Sequence, residues 1–303
     1  MQFLYFLEAL RNPLLDEIML LLTRFGEETA FLVAALIVFW CVDKKKGYYL
    51  MSVGFIGTML NQFFKLLFAV PRPWVLDPEF TIVEKAREAA TGYSFPSGHS
   101  TSAVGTFGAL AVITEKKWLR RLWIAIAVLV PVSRMYLGVH TPSDVLVGSG
   151  MALVLVGMLK PMTTLTKDRG MRDIIGLMLI LAVGLTLFVE LYPFPADMDQ
   201  HNLQSGLKNA YTMLGCLAGV ALVYPAEKHC IRFETSGCWW AQILKVVLGL
   251  GAVLLVKEGL RAPLEALLPV YPARAVRYFL IVVTAGLLWP LTFRFFAKLG
   301  VKK

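Results

Sequence analysis

Charge is what this sequence has little of. Only 17% of its 303 residues are Asp, Glu, Lys or Arg, against 57% hydrophobic, whereas a soluble domain carries about 25% charged and about 45–50% apolar residues. That shortage excludes an ordinary soluble domain, a disordered chain and a charged coiled coil. Histidine is scarce too, with four in the chain, as is cysteine, also with four. No two cysteines form a CxxC pair: Cys41 and Cys216 lie in apolar runs, and Cys230 and Cys238 share a short polar stretch. A zinc or redox motif therefore has no support. No Asn-x-Ser/Thr sequon occurs, which favours a bacterial source over a glycosylated membrane protein. The net charge of +9 is dispersed between apolar runs, so no nucleic-acid partner is expected.

What fills the chain is apolar sequence of membrane length. A spanning helix needs about 20 mostly apolar residues, and nine segments qualify as candidates: 28–43, 47–70, 98–114, 120–139, 142–161, 172–192, 207–225, 241–258 and 276–297. The expected fold is an all-α, polytopic membrane helical bundle of about nine transmembrane helices. The opening differs, since residues 2–25 carry Glu8, Arg11, Asp16 and Glu17 and are broken at Asn12-Pro13. That pair reads as an N-cap followed by Pro at the first helical position. Two short amphipathic helices in the membrane interface fit better than a tenth span, and a cleaved signal peptide does not fit, because the positive n-region is missing. The chain thus divides into an N-terminal interfacial segment at 1–27, a transmembrane core at 28–192 and an extension of three helices at 193–303.

Basic residues set the expected orientation. Eighteen of the 30 Lys and Arg, among them Lys44–Lys46, Lys116, Lys117, Arg120, Arg121, Lys160, Lys167, Arg169, Arg172, Lys302 and Lys303, fall on one face. That face is predicted to be cytoplasmic, in a plasma (inner) membrane, and to meet anionic lipid. The segments 71–97, 140–141, 193–206 and 259–275 then look outward.

Ionisable groups within spans are costly, and by default they mark function. Lys65 lies just below the outer end of its helix, with Arg72 at the mouth of the same helix. Phe95-Pro96-Ser97-Gly98-His99 opens the next span, and Ser133-Arg134 is followed by His140 and Asp144. Singly, each has a plain structural reading: a snorkelling cation, a polar helix-entry residue, a helix-start pair. Together they end on one predicted face and hold two of the four histidines, which describes a site for a phosphate ester. Lys65, Arg72 and Arg134 supply cations for phosphoryl oxygens. Ser97 and Gly98 open a helix whose free N–H groups and dipole favour an anion. His140 can attack through one ring nitrogen if the other faces a carboxylate, and Asp144, four residues on, shares a helix face if the helix starts near His140. His99 can serve as general acid.

These segments resemble the type 2 phosphatidic acid phosphatase superfamily, whose signature is K-x6-R-P, P-S-G-H and S-R-x5-H-x3-D. Lys65–Pro73, Pro96–His99 and Ser133–Asp144 match every defined position, within about 47–160. The resemblance implies a catalytic helical core and a phosphohistidine mechanism with no metal or other cofactor. Lys65, Arg72, Ser97, Gly98 and Arg134 would bind phosphate, His99 would be the acid, His140 the nucleophile and Asp144 its orienter. The resemblance does not name the substrate; the predicted outward face and a site set among membrane helices lead to the expectation of a hydrolase acting at the extracytoplasmic face on a lipid phosphate or diphosphate, whether isoprenoid, glycerolipid or sphingoid. Two alternatives remain open: a phosphatase for a soluble phosphomonoester such as a sugar phosphate, and a lipid phosphotransferase or a phosphate or lipid transporter reusing the bundle. The last three helices, at 207–297, carry no readable motif; bundle packing or a homodimer contact is their expected role.

Overall fold

The computed structural model describes residues 1–88, 90–165 and 168–299; Lys167, Lys302 and Lys303 of the basic face lie outside the described residues. The fold is all-helical, with no strand among the described residues. The first helices are α1 (Gln2–Ala9), α2 (Pro13–Thr23), α3 (Glu28–Cys41), α4 (Lys44–Phe68) and the one-turn α5 (Pro73–Leu76). They are followed by α6 (Gly98–Ile113), α7 (Lys117–Tyr136), α8 (Pro142–Leu159), α9 (Asp168–Leu191) and α10 (Gln200–Ala226). The chain closes with α11 (Trp239–Gly259), α12 (Arg261–Leu267), α13 (Val270–Val283) and α14 (Phe293–Lys298).

All nine apolar segments are helical, but six helices among the described residues are long and apolar enough to cross a membrane: those at Lys44–Leu76, Pro142–Thr163, Asp168–Leu191, Gln200–Ile231, Trp239–Leu267 and Val270–Lys298. The expected count of about nine is not reached, for physical reasons. With 14 residues, α3 spans about 21 Å at 1.5 Å per residue, short of the roughly 30 Å hydrocarbon core. Helix α6 has 16 residues, and α7 carries Lys117, Arg120, Arg121 and Arg134.

The chain forms two compact units. One comprises Met1–Leu32, Tyr49–Pro161 and Pro193–Gly206, the other Val33–Tyr48, Met162–Tyr192 and Leu207–Lys303. In the first unit α6 packs against α7 and α8, and α2 packs against α7. Small residues allow the close approach: a Cβ added at Gly148 of α8 would stand 2.7 Å from the Ser97 carbonyl, and one at Gly57 of α4 would stand 3.3 Å from Thr101 Cγ2. Polar side chains tie the same helices, with Tyr49 donating from α4 to the Val156 carbonyl at 2.9 Å. Asn61 Nδ2 donates to the Pro96 carbonyl at 3.1 Å, just ahead of α6. At the N-terminus the Asn12 side chain accepts from Leu15 N and Pro13 takes the first helical position, as its sequence predicts.

The second unit is built around aromatic packing. Trp40 and Phe293 meet edge to face, and Trp40 Nε1 donates to the Ala285 carbonyl at 2.9 Å. Lys245 is fully buried; its ammonium lies 3.2 Å from the Trp40 carbonyl and 4.5 Å from the Phe293 ring centre. The last apolar segment is interrupted by a π turn at Thr284–Leu288 and a 3-10 turn at Trp289–Thr292. Pro290 sits in that break, where its missing N–H forbids a regular helix.

Candidate active site

Every residue singled out as catalytic or phosphate-binding belongs to the first unit, and local chemistry explains how each is held. Helix α4 delivers Lys65 one turn before its end at Phe68. The buried Lys65 ammonium donates to the Tyr93 carbonyl. Beyond the helix, Arg72 folds back into the connecting loop. Its Nε donates to the Gly92 carbonyl at 3.0 Å and its Nη2 to the Thr91 carbonyl at 2.8 Å. Its Nη1 reaches the Val139 carbonyl at 2.9 Å. Gly92 has φ +70°, a conformation open to glycine at little cost, and this turns its carbonyl toward Arg72.

Ser97 is the N-cap of α6, accepting from Ser100 N, and Gly98 is the first helical residue. The Ser97 N–H donates to the Asp144 carbonyl at 3.0 Å, which joins the second motif to the third. Behind Gly98, an added Cβ would stand 3.3 Å from Asn61 Oδ1, so a side chain there would crowd the helix entrance.

The couple of His140 and Asp144 forms, though not on a helical face. Pro142 occupies the first position of α8 and Thr141 is its N-cap, so His140 lies ahead of the helix. The pair meets through a capping box instead: Asp144 N binds Thr141 Oγ1 at 3.3 Å, and Thr141 N donates to Asp144 Oδ2 at 2.7 Å. That puts Asp144 Oδ2 3.4 Å from His140 Nδ1, with both side chains buried. Arg72 Nη1 lies beside the same ring, 2.9 Å from Nε2 and 3.5 Å from Nδ1. A tautomer with its proton on Nδ1 points that proton at Asp144 and leaves Nε2 as the basic nitrogen.

Arg134 and His99 complete the group. Arg134 is completely buried in α7, and its Nη1 donates to Thr23 Oγ1 at 2.7 Å. Arg134 Nε, Arg134 Nη2 and His99 Nε2 are buried with no hydrogen-bond partner among the described residues. Lys65, Arg72, Arg134 and His99 all lie within electrostatic reach of His140. Buried polar atoms are almost always satisfied in folded proteins, so the two orphaned Arg134 donors and the unpartnered His99 nitrogen mark a place where a polar ligand would fit.

Two contributors have no place in the three motifs. Ser94, fully buried, donates to Asp144 Oδ2 at 2.6 Å and lies 3.5 Å from His140 Nδ1. Thr23 comes from α2, 111 residues away from the Arg134 it holds. Nothing local in sequence points to either hydroxyl, since Ser94 meets a partner 50 residues away and Thr23 one 111 residues away.

Buried cations and a histidine–aspartate couple beside unpartnered polar atoms form the candidate site of an all-helical membrane protein. The chain belongs to the PAP2 superfamily: the PAP2 superfamily model matches residues 45–167, and the model for the PAP2 superfamily phosphatase transmembrane extension matches residues 211–302. It is 35% identical over 136 residues to an undecaprenyl-diphosphatase of Sulfolobus acidocaldarius, covering 44% of this chain and 64% of that protein. Over 152 residues it is 28% identical to the undecaprenyl-diphosphatase BcrC of Bacillus subtilis, covering 49% of this chain and 74% of that one. Phosphatidylglycerophosphatase B of Bacillus subtilis is 30% identical over 166 residues, covering 50% of this chain and 76% of its own length. No solved structure matches the chain.

Proposed function

We propose that the chain is a metal-independent membrane phosphatase that hydrolyses a lipid phosphate or diphosphate through a phosphohistidine intermediate. The observation that carries this reading is the set of buried groups beside His140: Asp144 Oδ2 lies 3.4 Å from its Nδ1, Arg72 Nη1 lies 2.9 Å from its Nε2, and Arg134 keeps Nε and Nη2 without partners among the described residues. A proton on Nδ1, facing Asp144, gives the tautomer a nucleophilic imidazole requires. Nε2 attacks phosphorus and the bond to the leaving oxygen breaks, with His99 delivering its proton to that oxygen. Water then attacks the phosphohistidine, gives its proton to His99 and releases phosphate, which returns both histidines to their starting states. Arg134, Lys65, Arg72 and the N-terminus of α6 stabilise the charge on the equatorial oxygens. Asp144 stabilises the imidazole as positive charge develops on it.

The relatives' names favour an isoprenoid diphosphate or a glycerolipid phosphate as substrate, and an acyl or prenyl tail suits a site framed by apolar helices. The bias of Lys and Arg supports an extracytoplasmic active site in the plasma (inner) membrane.

The test is phosphate release by purified protein in detergent with EDTA present. The panel comprises undecaprenyl diphosphate, phosphatidate, sphingosine phosphate, phosphatidylglycerol phosphate and glucose 6-phosphate, each beside a His140→Ala control. Release from a lipid substrate that survives EDTA and is lost in the variant is expected, with a rate at least a thousandfold lower in His140→Ala. Equal release in the variant, or release from glucose 6-phosphate alone, would sink the lipid phosphohistidine reading.

A further inference from the structure

The opening 27 residues lie outside both family matches, yet they reach the centre of the site. We propose that this segment is an integral part of the active site and that Thr23 is a positioning residue for Arg134; the proposal rests on the phosphatase reading above.

The first argument is geometric. In a guanidinium, the Nε–H and the nearer Nη2–H are parallel and form the side-on fork that grips a phosphate through two oxygens. Thr23 Oγ1 engages Nη1, the third nitrogen, and leaves that fork, Nε and Nη2, as the two donors without partners. The hydroxyl therefore sets the plane of the guanidinium without competing for the oxygens it would bind. Arg134 is wholly buried, Thr23 is buried, and the Thr23 contact is the hydrogen bond that anchors the Arg134 side chain.

The second argument is that Thr23 is itself fixed on both sides. Two residues beyond Arg134, the Tyr136 carbonyl accepts from Arg11 Nε at 3.0 Å, and the Tyr136 hydroxyl donates to Asp16 Oδ1 at 2.8 Å. Both tie the N-terminal segment to the end of α7. Just past Thr23, Gly26 lies so close to α6 that an added Cβ would stand 2.9 Å from the His99 carbonyl oxygen. The segment thus runs from the end of α7 to the backbone of His99, with Thr23 between. A peripheral membrane anchor would need none of these contacts.

The test compares Thr23→Val, which removes the hydroxyl at nearly constant volume, with Thr23→Ser, which keeps it. The readouts are kcat, KM for the best lipid substrate and the inhibition constant for inorganic phosphate, with melting temperature followed in parallel. Loss of a hydrogen bond to a charged group corresponds to about a tenfold effect or more. Thr23→Val should raise KM and the phosphate inhibition constant by about that factor, with Thr23→Ser close to wild type. In an Arg134→Ala background, Thr23→Val should add nothing further. If the Val variant does not fold, Thr23→Ala takes its place in the same cycle. Unchanged phosphate inhibition in the hydroxyl-free variant, equal losses in the Val and Ser variants, or independent multiplication with Arg134→Ala each overturns the proposal. A loss of kcat alone, with KM and phosphate inhibition unmoved, also overturns it, since that is the mark of a smaller folded fraction. The His140→Ala control separates the two levels: if that variant stays active, the phosphatase mechanism fails; if it is dead and Thr23→Val behaves as wild type, only the positioning role fails.

Discussion

Asp144 Oδ2 serves two structures at once: it closes the capping box of α8 through Thr141 N and accepts the Ser94 hydroxyl. Removing Ser94 leaves the cap intact while loosening the carboxylate that faces His140. Ser94→Ala is therefore expected to lower kcat by about tenfold, the low end of the effect of a charged hydrogen bond, with KM nearly unchanged because Ser94 holds no phosphate oxygen. Asp144→Ala also loses the carboxylate half of the capping box, with Thr141 kept as the N-cap, which adds about 1 kcal/mol of destabilisation. Steady-state kinetics beside thermal melts of the two variants check both parts. A Ser94→Ala variant that melts earlier with its kcat intact would make the serine a packing residue only.

Among the elements, the close contact between α8 and the start of α6 is the most exacting. Gly148→Ala would press a methyl group into the Ser97 carbonyl at 2.7 Å. It should cost about 1–3 kcal/mol of stability and disturb the N-terminus of α6 together with the Asp144 carbonyl that Ser97 binds. A lowered melting temperature with a matching loss of phosphate release is the expected result, and Gly150→Ala, which meets nothing within 4 Å, is its control. The starts of α2 and α6 were legible because Asn12-Pro13 and Ser97-Gly98 are cap and first-turn chemistry written in neighbouring residues. The union of His140 with Asp144 was legible as a pair, but its form was not: Pro142 starts the helix two residues after His140, so a capping box brings them together where a shared helical face was expected. Ser94 and Thr23 escaped because a buried hydroxyl looks like any loop or helix-end hydroxyl until the fold brings its partner from elsewhere in the chain.

At the scale of the molecule, hydropathy located all nine helical segments yet could not say which cross the membrane. Length and charge decide it differently for each: α6 has 16 residues, α7 carries three cations in its first turns besides Arg134, and α4 and α8, which carry Lys65 and Asp144, are long and apolar enough. The proposed sidedness gives a direct expectation for intact cells expressing variants with one added cysteine. A cysteine at Asp77 should react with an impermeant maleimide from outside, and one at Lys117 should react only after the membrane is opened. The reverse pattern would invert the orientation argued from the basic residues.

The hydrogen bonds of the two buried arginines also set them apart. Each nitrogen of the Arg72 guanidinium is held by a backbone carbonyl, that of Gly92, Val139 or Thr91, whereas Arg134 keeps Nε and Nη2 without partners among the described residues. On the proposed reading the two cations therefore divide the work. Arg72 is a charge bolted to the loop, and Arg134 is the open hand.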